Sequence, residues 1–446
     1  MSKRKKYGRR IAVLGGNNAG KTVFITSLID NLQNFDPDIL MLNDWCVVAA
    51  NMTNAEAVDG LDRFPFEKYR NALIADDAKW PEKTFAASIA RLNVKLKRTQ
   101  PKKFWNDVIV RKLEIVDIAG ERVADFGMIN CDYRQWSVMM TNQLFEAGID
   151  WEKIFNKCTN TSETDYTEAV LAGYRNALVE LYKCGANAFI TPSTARITLA
   201  GQCLGGSSED YKNALKKHPV GMEGGEFAPL PESAFKDDKL QGLVQKFKDA
   251  YEEYRKIVVA PIWSWLKGAD DIVYLVDVLG ILADGMAAYN AEQALANACF
   301  SRAICNKWRT EESTWKKIKE KLKAMKAGLH FSRLIVIATK ADLTPNDDRE
   351  NIKMLAKKLL EKRTYTCSFD KIDYLYCAAV CTSEKEEQAK KGQEKGIPIP
   401  EKWDESWDAG KYRFEFAHPP LKRCRKDLPP KNIQMGAIAK KLLEIE

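Results

Sequence analysis

A phosphate-binding loop is predicted from glycines, a lysine and a threonine near the start of the chain. Residues 15–22 read GGNNAGKT and match the pattern GxxxxGK[ST], between the β-branched run RIAVL and the helical pattern VFITSLIDNLQ. The glycines would let backbone amides close around phosphate oxygens, Lys21 would reach the β- and γ-phosphates and assist catalysis, and the Thr22 hydroxyl would ligate Mg²⁺. The expected nucleotide-binding residues of this loop are Gly15, Asn18, Ala19, Gly20, Lys21, Thr22 and Val23.

A second motif, DxxG, follows the strand-like run VIVRKLEIV. Asp117 would hold Mg²⁺ through water, and the amide of Gly120 could sense the γ-phosphate. Glu121 comes next, where many small GTPases carry the glutamine that orients the attacking water. Glu121 is therefore a candidate catalytic residue whose charge Arg122 could offset, and a purely structural pairing of these two residues is the alternative.

A threonine between the first helix and the second strand could complete the Mg²⁺ site. Residues 80–84 read WPEKT, and Thr84 directly precedes a predicted strand. A threonine in this position can ligate Mg²⁺ only when γ-phosphate is present, which orders a switch loop. The alternative is a proline turn that enters a strand.

Recognition of guanine is predicted from TKAD at 339–342, which follows the apolar run LIVIA. The Asp342 carboxylate could accept the N1 and N2 protons of guanine, a donor pair that adenine lacks. Lys340 would cover the base plane with its methylene stem, and Thr339 would tie this loop to the phosphate loop. A backbone amide of Ala378 or Ala379 could donate to guanine O6. The alternatives are a solvated aspartate that caps a helix and small residues that pack a strand end.

Other P-loop activities stay open at this stage. Asp277 follows a buried strand and could serve as a second acidic residue in an ATPase, although a helix cap is the favoured interpretation. A kinase would need an acceptor pocket with a base, for which the sequence shows no clear residue. A scaffold that binds nucleotide without hydrolysing it is a further alternative. Arginines that could stabilise transferring charge are Arg63, Arg91 and Arg196.

Composition excludes several protein classes. The chain has 446 residues, of which 45% are hydrophobic and 29% charged, and it is therefore not a mostly disordered protein. Eleven cysteines without a CxxC pair favour a reducing compartment, here the cytoplasm, and three scattered histidines disfavour a zinc hydrolase. Neither a secretion signal nor a membrane-spanning run is expected.

Positive charge is concentrated in two places. Basic residues cluster at 3–10 and at 316–326, while the whole chain carries a net charge of only +8. Such clusters can bind nucleic acid or anionic lipid, so a peripheral adaptor with a regulatory nucleotide is a second function class. Solvated helix faces are the favoured interpretation.

The elements that must position these residues are about six strands interleaved with helices. Strands are expected at 10–14, 85–97, 108–116, 272–276, 334–338 and 374–380. Helices are expected at 23–33, 166–184, 240–258, 289–308, 314–328 and 436–446, with a loop rich in proline and glycine at 191–233. The predicted fold is α/β, a P-loop NTPase with a Ras-like, mostly parallel sheet and large helical insertions.

The expected division of the chain follows from these elements. It comprises a first core part with the P-loop and switch regions at 1–125, a mainly helical insertion at 126–268, a core strand at 269–284, a second helical insertion at 285–330, a core part with the guanine-recognition loops at 331–382, and a surface excursion with a C-terminal helix at 383–446.

Eight short motifs, in this order, resemble the YcjX-like family of bacterial stress-associated P-loop NTPases. They are GGNNAGKT at 15, FPF at 64, WPEKT at 80, AGERVADF at 119, DYRQWS at 132, ITPSTARITLAG at 190, VYLVDVLGILADGMAAYN at 273 and SRLIVIATKADLTPNDDRENIKML at 332. The resemblance implies a Ras-like GTPase core that binds and hydrolyses GTP with Mg²⁺. It also implies a cytoplasmic role in stress response, with a protein effector as a possible partner beside the guanine nucleotides GTP and GDP.

Overall fold

The computed structural model of the protein forms two compact units. The sheet unit comprises the described residues of 1–119, 266–286 and 304–446, and the helical unit those of 120–265 and 287–303. The structure describes residues 8–16, 18–34, 41–42, 45–53, 61–75, 78–81, 87–100, 107–160, 165–183, 192–201, 207–218, 220–222, 225–300, 331–364, 369–382, 399–403 and 429–443. Thr84, both basic clusters except their residues 8–10, and the helix predicted at 314–328 lie outside these ranges.

A mixed sheet of nine strands, counted within the described ranges, forms the sheet unit. Its order is β11-β10-β9-β1-β6-β5-β3-β2, with β4 paired to β5. The five strands from β11 to β6 are all parallel, and β5, β3 and β2 continue the sheet antiparallel. The strands are β1 (Arg9–Gly15), β2 (Met41–Leu42), β3 (Trp45–Met52), β4 (Asp62–Arg63), β5 (Ser88–Arg98), β6 (Val108–Asp117), β9 (Asp271–Val276), β10 (Phe331–Ala338) and β11 (Phe369–Tyr376).

The α/β class and the mostly parallel sheet are confirmed, and most predicted strands are present. β9 is buried along its whole length, as expected for a near-continuous apolar run in the middle of a parallel sheet. The prediction missed β3, which pairs with β5 and contains a bulge between Val47 and Ala49 that breaks its alternation. The strand predicted at 374–380 is wrong in its bounds, because β11 ends at Tyr376 and the residues after it form a loop.

Three helices of the sheet unit follow segments that are predicted to be functional, and a fourth is the last helix that the structure describes. Helix α1 is buried against the sheet, and the final helix α14 contributes Ile438 and Leu442 to the same apolar core. Their bounds and those of the other helices in this unit are α1 (Lys21–Gln33), α2 (Phe66–Ile74), α11 (Val278–Asp284), α13 (Arg349–Thr364) and α14 (Met435–Leu443).

The helical unit has its own core, built around aromatic rings that contact one another edge-on or tilted. Trp136 lies 5.1 Å from Phe227 and 5.4 Å from Tyr251, measured between ring centroids, and all three are fully buried. The helices are α3 (Gly120–Val123), α4 (Tyr133–Glu146), α5 (Trp151–Thr159), α6 (Thr167–Lys183), α7 (Ser193–Gly201), α8 (Ser208–Lys217), α9 (Gln241–Tyr254), α10 (Ala260–Lys267) and α12 (Met286–Phe300), with a small hairpin β7 (Gly221–Met222) and β8 (Gly225–Glu226).

Two details of this unit differ from the sequence expectation. The loop predicted at 191–233 is wrong, because it contains α7 and α8. Ser207 and Asp210 form a capping box that starts α8, a signal that the density of glycine and proline concealed. The helix predicted at 240–258 corresponds to α9 and a π-helix over Arg255–Val259, and it continues without a break into α10.

Buried ion pairs tie the strands of the sheet unit together. Glu114 on β6 has no exposed surface and accepts from Arg10 on β1 (2.7 Å) and Arg91 on β5 (2.9 Å). Asp271 on β9 is equally buried and pairs with Arg9 on β1. Because a carboxylate in the interior needs its partners, these pairs fix the register of four adjacent strands.

A buried polar cluster joins three segments of the helical unit. Asp125 accepts from the Ser193 amide (2.8 Å) and the Tyr254 hydroxyl (2.7 Å), and Arg122 donates to the Ser193 hydroxyl (3.0 Å). Burial raises the pKa of Asp125 above its usual value, although Arg122 and these hydrogen bonds oppose the shift. The ionised carboxylate is thus costly in the folded state.

We expect Glu114→Ala to lower the free energy of unfolding by about 2–3 kcal/mol, because it leaves two arginines without their shared partner. Urea denaturation followed by circular dichroism measures this. The control is Arg111→Ala, an exposed change on the same strand, which should alter stability little. Equal effects of the two changes would contradict the structural role of Glu114.

The raised pKa of Asp125 predicts a pH-dependent effect of Asp125→Asn. Above the unfolded value of 3.8 the wild-type loses stability as the pH rises through the folded pKa, since ionisation is disfavoured in the folded state. The asparagine variant cannot ionise, so its free energy of unfolding should rise relative to that of the wild-type as the pH rises from the unfolded value of 3.8 through the folded pKa. Urea denaturation at several pH values tests this, and a constant difference would contradict it.

Candidate nucleotide-binding site

Five adjacent parallel strands of the sheet unit end at one edge, and the predicted functional residues follow those ends. β1 lies where the strand order reverses, because the chain places β6 on one side of it and β9 on the other. Ligands of open α/β sheets bind at the carboxyl ends of the strands near such a point. The phosphate loop follows β1, Asp117 ends β6, and the TKAD residues follow β10.

The phosphate loop has a backbone that requires glycine at its start. Gly15 has a φ of 145°, and a Cβ built on it would lie 2.4 Å from the Leu275 carbonyl oxygen of β9. Gly20 has a φ of 82° and precedes the first residue of α1. Asn18 also adopts a left-handed φ of 61°, which asparagine tolerates better than most residues. The loop thus turns sharply into the N-terminus of α1.

Lys21 folds back over this loop. Its ammonium group donates to the carbonyl oxygens of Gly15 (3.1 Å) and Gly16 (2.8 Å), and its side chain is buried. The charge is thereby held at the N-terminal end of α1, whose free amides carry partial positive charge. Both features favour an anion at this position.

Thr22 and Asp117 come together at the same edge. The Thr22 hydroxyl donates to Oδ2 of Asp117 at 3.1 Å, and Asp117 is almost completely buried at the end of β6. A hydroxyl and a carboxylate are hard oxygen ligands of the kind that Mg²⁺ prefers. This donor set fits a Mg²⁺ ion shared with phosphate oxygens.

The TKAD residues are held by neighbouring loops. The Thr339 amide and hydroxyl both donate to the Val276 carbonyl of β9, at 2.9 and 3.3 Å, so Thr339 ties this loop to β9. The predicted tie to the phosphate loop stays a prediction. Lys340 has a left-handed φ of 62° and pairs with Asp277. Oδ2 of Asp342 accepts from the amide and the hydroxyl of Thr382, both at 2.8 Å.

Asp342 retains capacity for further hydrogen bonds. It is partly exposed, and its Oδ1 accepts no hydrogen bond from the described residues. An acceptor with one oxygen fixed and the other open suits a ligand that presents adjacent N–H groups. The contribution of Thr382 was not predicted, because forty residues separate it from Asp342.

Asp277 acts as a helix cap, which confirms the favoured interpretation. Its Oδ1 accepts from the Gly280 amide (3.0 Å) at the start of α11, and its other oxygen pairs with Lys340. Both oxygens therefore have protein partners. This arrangement gives no support to Asp277 as a second catalytic acid of an ATPase.

The two alanines predicted to approach guanine O6 differ in their hydrogen bonding. The Ala378 amide donates to the Ile433 carbonyl at 3.3 Å, whereas the Ala379 amide donates to no described residue. The Ala379 carbonyl accepts from the Ser27 hydroxyl of α1 at 2.5 Å. Ala379 is consequently the better candidate of the two.

The remaining predicted residues are less well defined. Gly120 begins α3 in the helical unit, and Glu121 lies in that helix with its side chain outside the description. The Arg122 guanidinium is directed to the Ser193 and Tyr254 hydroxyls. Of the three arginine candidates, Arg91 is committed to Glu114, Arg63 is exposed on β4, and Arg196 is buried in α7.

Across the ranges that the structure describes, no helix combines the length and the apolar character needed to cross a bilayer.

Among the relatives that share sequence with this chain are two that bear the name Ras-like GTPase YcjX. The Escherichia coli protein is 29% identical over 147 residues, which cover 32% of this chain and only 32% of that relative. The Shewanella oneidensis protein is 23% identical over 405 residues, covering 83% of this chain and 76% of that relative. The model of the YcjX-like family (DUF463) matches residues 9–399. Since this match spans most of the 446 residues, the chain belongs to the YcjX-like family.

Proposed function

We propose that the protein binds guanine nucleotide with Mg²⁺ and hydrolyses GTP slowly, as a conformational switch. The observation that carries this proposal is the juxtaposition, at one sheet edge, of the Lys21 loop, the Thr22–Asp117 pair and the Asp342 carboxylate. The names of the two relatives agree with it. The cytoplasmic, stress-related role implied by the family resemblance is part of the proposal.

The triphosphate would bind through positive charge and backbone donors. The amides between Gly15 and Val23 would surround the phosphates, and Lys21 would exchange its bonds to the loop carbonyls for bonds to phosphate oxygens. Thr22 and Asp117 would hold Mg²⁺ directly and through water. When bound, this cation neutralises charge on the transferring phosphoryl group.

Guanine would be selected over adenine by Asp342 and Ala379. The carboxylate would accept the N1 and N2 protons of guanine, and the Ala379 amide would donate to O6. Adenine offers neither that pair of donors nor a carbonyl at this position. Hydrogen bonds to an ionised acceptor are worth about 1.5–3 kcal/mol each, enough to exclude the wrong base.

Hydrolysis would rest on positioning and electrostatics. Lys21 and the loop amides would stabilise the charge that develops on the phosphoryl oxygens. Glu121 would orient the attacking water, and the Gly120 amide and Thr84 would respond to the γ-phosphate. Because a carboxylate beside the γ-phosphate adds repulsion, the rate of the isolated protein is expected to be low.

The guanine assignment predicts that Asp342→Ala weakens GDP binding by at least about 100-fold, because two charge-assisted hydrogen bonds are lost. Binding of ADP should change little. Isothermal titration of nucleotide-free protein with GDP and ADP in Mg²⁺ measures both. Asp347→Ala, an exposed carboxylate in the same loop, is the control. Equal affinities of the wild-type for GDP and ADP would refute guanine selection.

The Mg²⁺ assignment predicts that Thr22→Val removes most of the Mg²⁺ dependence of nucleotide binding. The variant keeps the size of the side chain but loses the hydroxyl ligand. Titration of GTP with and without Mg²⁺ measures the effect. The matched control is Thr26→Val one turn further along α1, whose hydroxyl bonds only the Thr22 carbonyl. The same loss in both variants would argue for a structural cause.

A further inference from the structure

The loop that follows β11, residues 377–382, has few polar side chains that could hold it in position. It reads CAAVCT, and its two alanines have no polar side chains. Hydrogen bonds to other segments must therefore hold it, and these bonds determine where the Ala379 amide and Thr382 lie. We refer to these residues as the base loop.

Two segments of the core hold the start and the middle of the base loop. The Cys377 amide donates to the Ala338 carbonyl (2.8 Å), and the Cys377 carbonyl accepts from the Ala341 amide (3.0 Å). Ser27 of α1 donates to the Ala379 carbonyl. Ala341 belongs to the TKAD segment, Ala338 directly precedes it, and Ser27 lies in the helix that follows the phosphate loop.

A third segment comes from the other end of the chain. Ala378 and Ile433 exchange two backbone hydrogen bonds, from the Ala378 amide (3.3 Å) and from the Ile433 amide (2.8 Å). The Cys381 amide donates to the Lys431 carbonyl at 2.7 Å. These three bonds lie on both sides of Ala379, so residues 431–433 act as a short extra strand beside the base loop. We call residues 431–433 the clip.

The clip is itself firmly anchored in the sheet unit. Asn432 donates to Asn31 of α1 at 3.1 Å, and the adjoining helix α14 buries Met435 and Ile438 in the apolar core beside α1. At the far end of α14, Lys441 pairs with Asp373 of β11 at 2.9 Å. The clip therefore cannot shift without disturbing α1 or β11.

The hydrogen bonds from Thr382 to Asp342 link the position of the base loop to the predicted guanine contacts. A displacement of residues 378–381 would move the Ala379 amide and would also move Thr382, which fixes Oδ2 of Asp342. Both predicted guanine contacts therefore depend on the clip. The phosphate loop has its own bonds through Lys21 and does not.

We propose that the clip, residues 431–433, is a positioning element of the guanine site that orders the base loop and thereby sets guanine affinity. The proposal rests on the proposed guanine binding. The clip lies outside residues 9–399, which the family model matches. Guanine recognition in this protein would thus depend on chain beyond the family-matched region.

The test compares Ile433→Pro with Ile433→Val. Proline removes the amide that donates to the Ala378 carbonyl, whereas valine keeps it. We expect the proline variant to bind GDP about 10-fold more weakly, the equivalent of one hydrogen bond, and ADP within about 2-fold of the wild-type. Hydrogen exchange of peptides covering 377–382 should be faster in the proline variant only.

A milder substitution keeps the proposal testable if the proline variant does not fold. Asn432→Ala removes the anchoring bond to Asn31 and a local bond to the Pro430 carbonyl, and it should weaken GDP binding by about 3-fold without affecting ADP. If Ile433→Pro does not fold, Asn432→Ala decides alone. Unchanged GDP affinity in the variants that fold overturns the proposal, as does an equal loss for GDP and ADP. A wild-type that does not prefer GDP to ADP instead refutes guanine binding itself.

Discussion

The close backbone approach of β1 and β9 at Gly15 is the constraint on which the candidate site depends. Any side chain at this residue would collide with the Leu275 carbonyl, so only glycine lets the two strands stay paired up to the last residue of β1. The loop then starts from a fixed point, and Lys21 returns to the carbonyl of that same residue. Strand pairing and the position of the lysine charge are thus set by one residue. The buried pairs of Glu114 and Asp271 hold the other ends of these strands in register.

Two aspartates lie at the ends of β6 and β9, the strands that flank β1, and they have different partners. The difference bears on the chemistry. Asp117 faces the Thr22 hydroxyl, which would be its neighbour in a Mg²⁺ site. Asp277 is occupied by a helix amide and by Lys340. The pairing with Asp277 also helps to hold Lys340, the second residue of TKAD, in its left-handed conformation. Asp277 therefore supports the base-recognition segment, and the proposed chemistry at the phosphates requires only Asp117.

Local patterns allowed prediction of the phosphate loop, β9, β10 and α1, because a glycine turn or a continuous apolar run needs no distant partner to be recognised. β3 was missed since its bulge breaks the period-two pattern. The roles of Thr382 and Ile433 could not be found from the sequence, because their partners lie 40 or more residues away and the bonds are partly between backbone atoms. The same holds for Arg91, whose charge suggested catalysis until its buried partner Glu114 was known. The spacing of residues along the sequence can indicate the chemistry of a single loop, whereas contacts between loops can be identified only when the fold is known.

The residues that follow DxxG indicate which part of the chain would respond if bound nucleotide moved this segment. The segment 120–130 belongs to the helical unit, where Asp125 bonds Ser193 at the start of α7 and Tyr254 at the end of α9. Such a fully bonded buried cluster resists deformation, because each broken bond would leave a polar group unsatisfied. A shift of the Gly120 amide toward a γ-phosphate would therefore be taken up at the peptide that joins Ala119 to Gly120 or passed to α7 and α9 together. Only in the second case would the proposed switch act upon these helices, because the hydrogen bonds of Asp125 join the start of α7 to the end of α9.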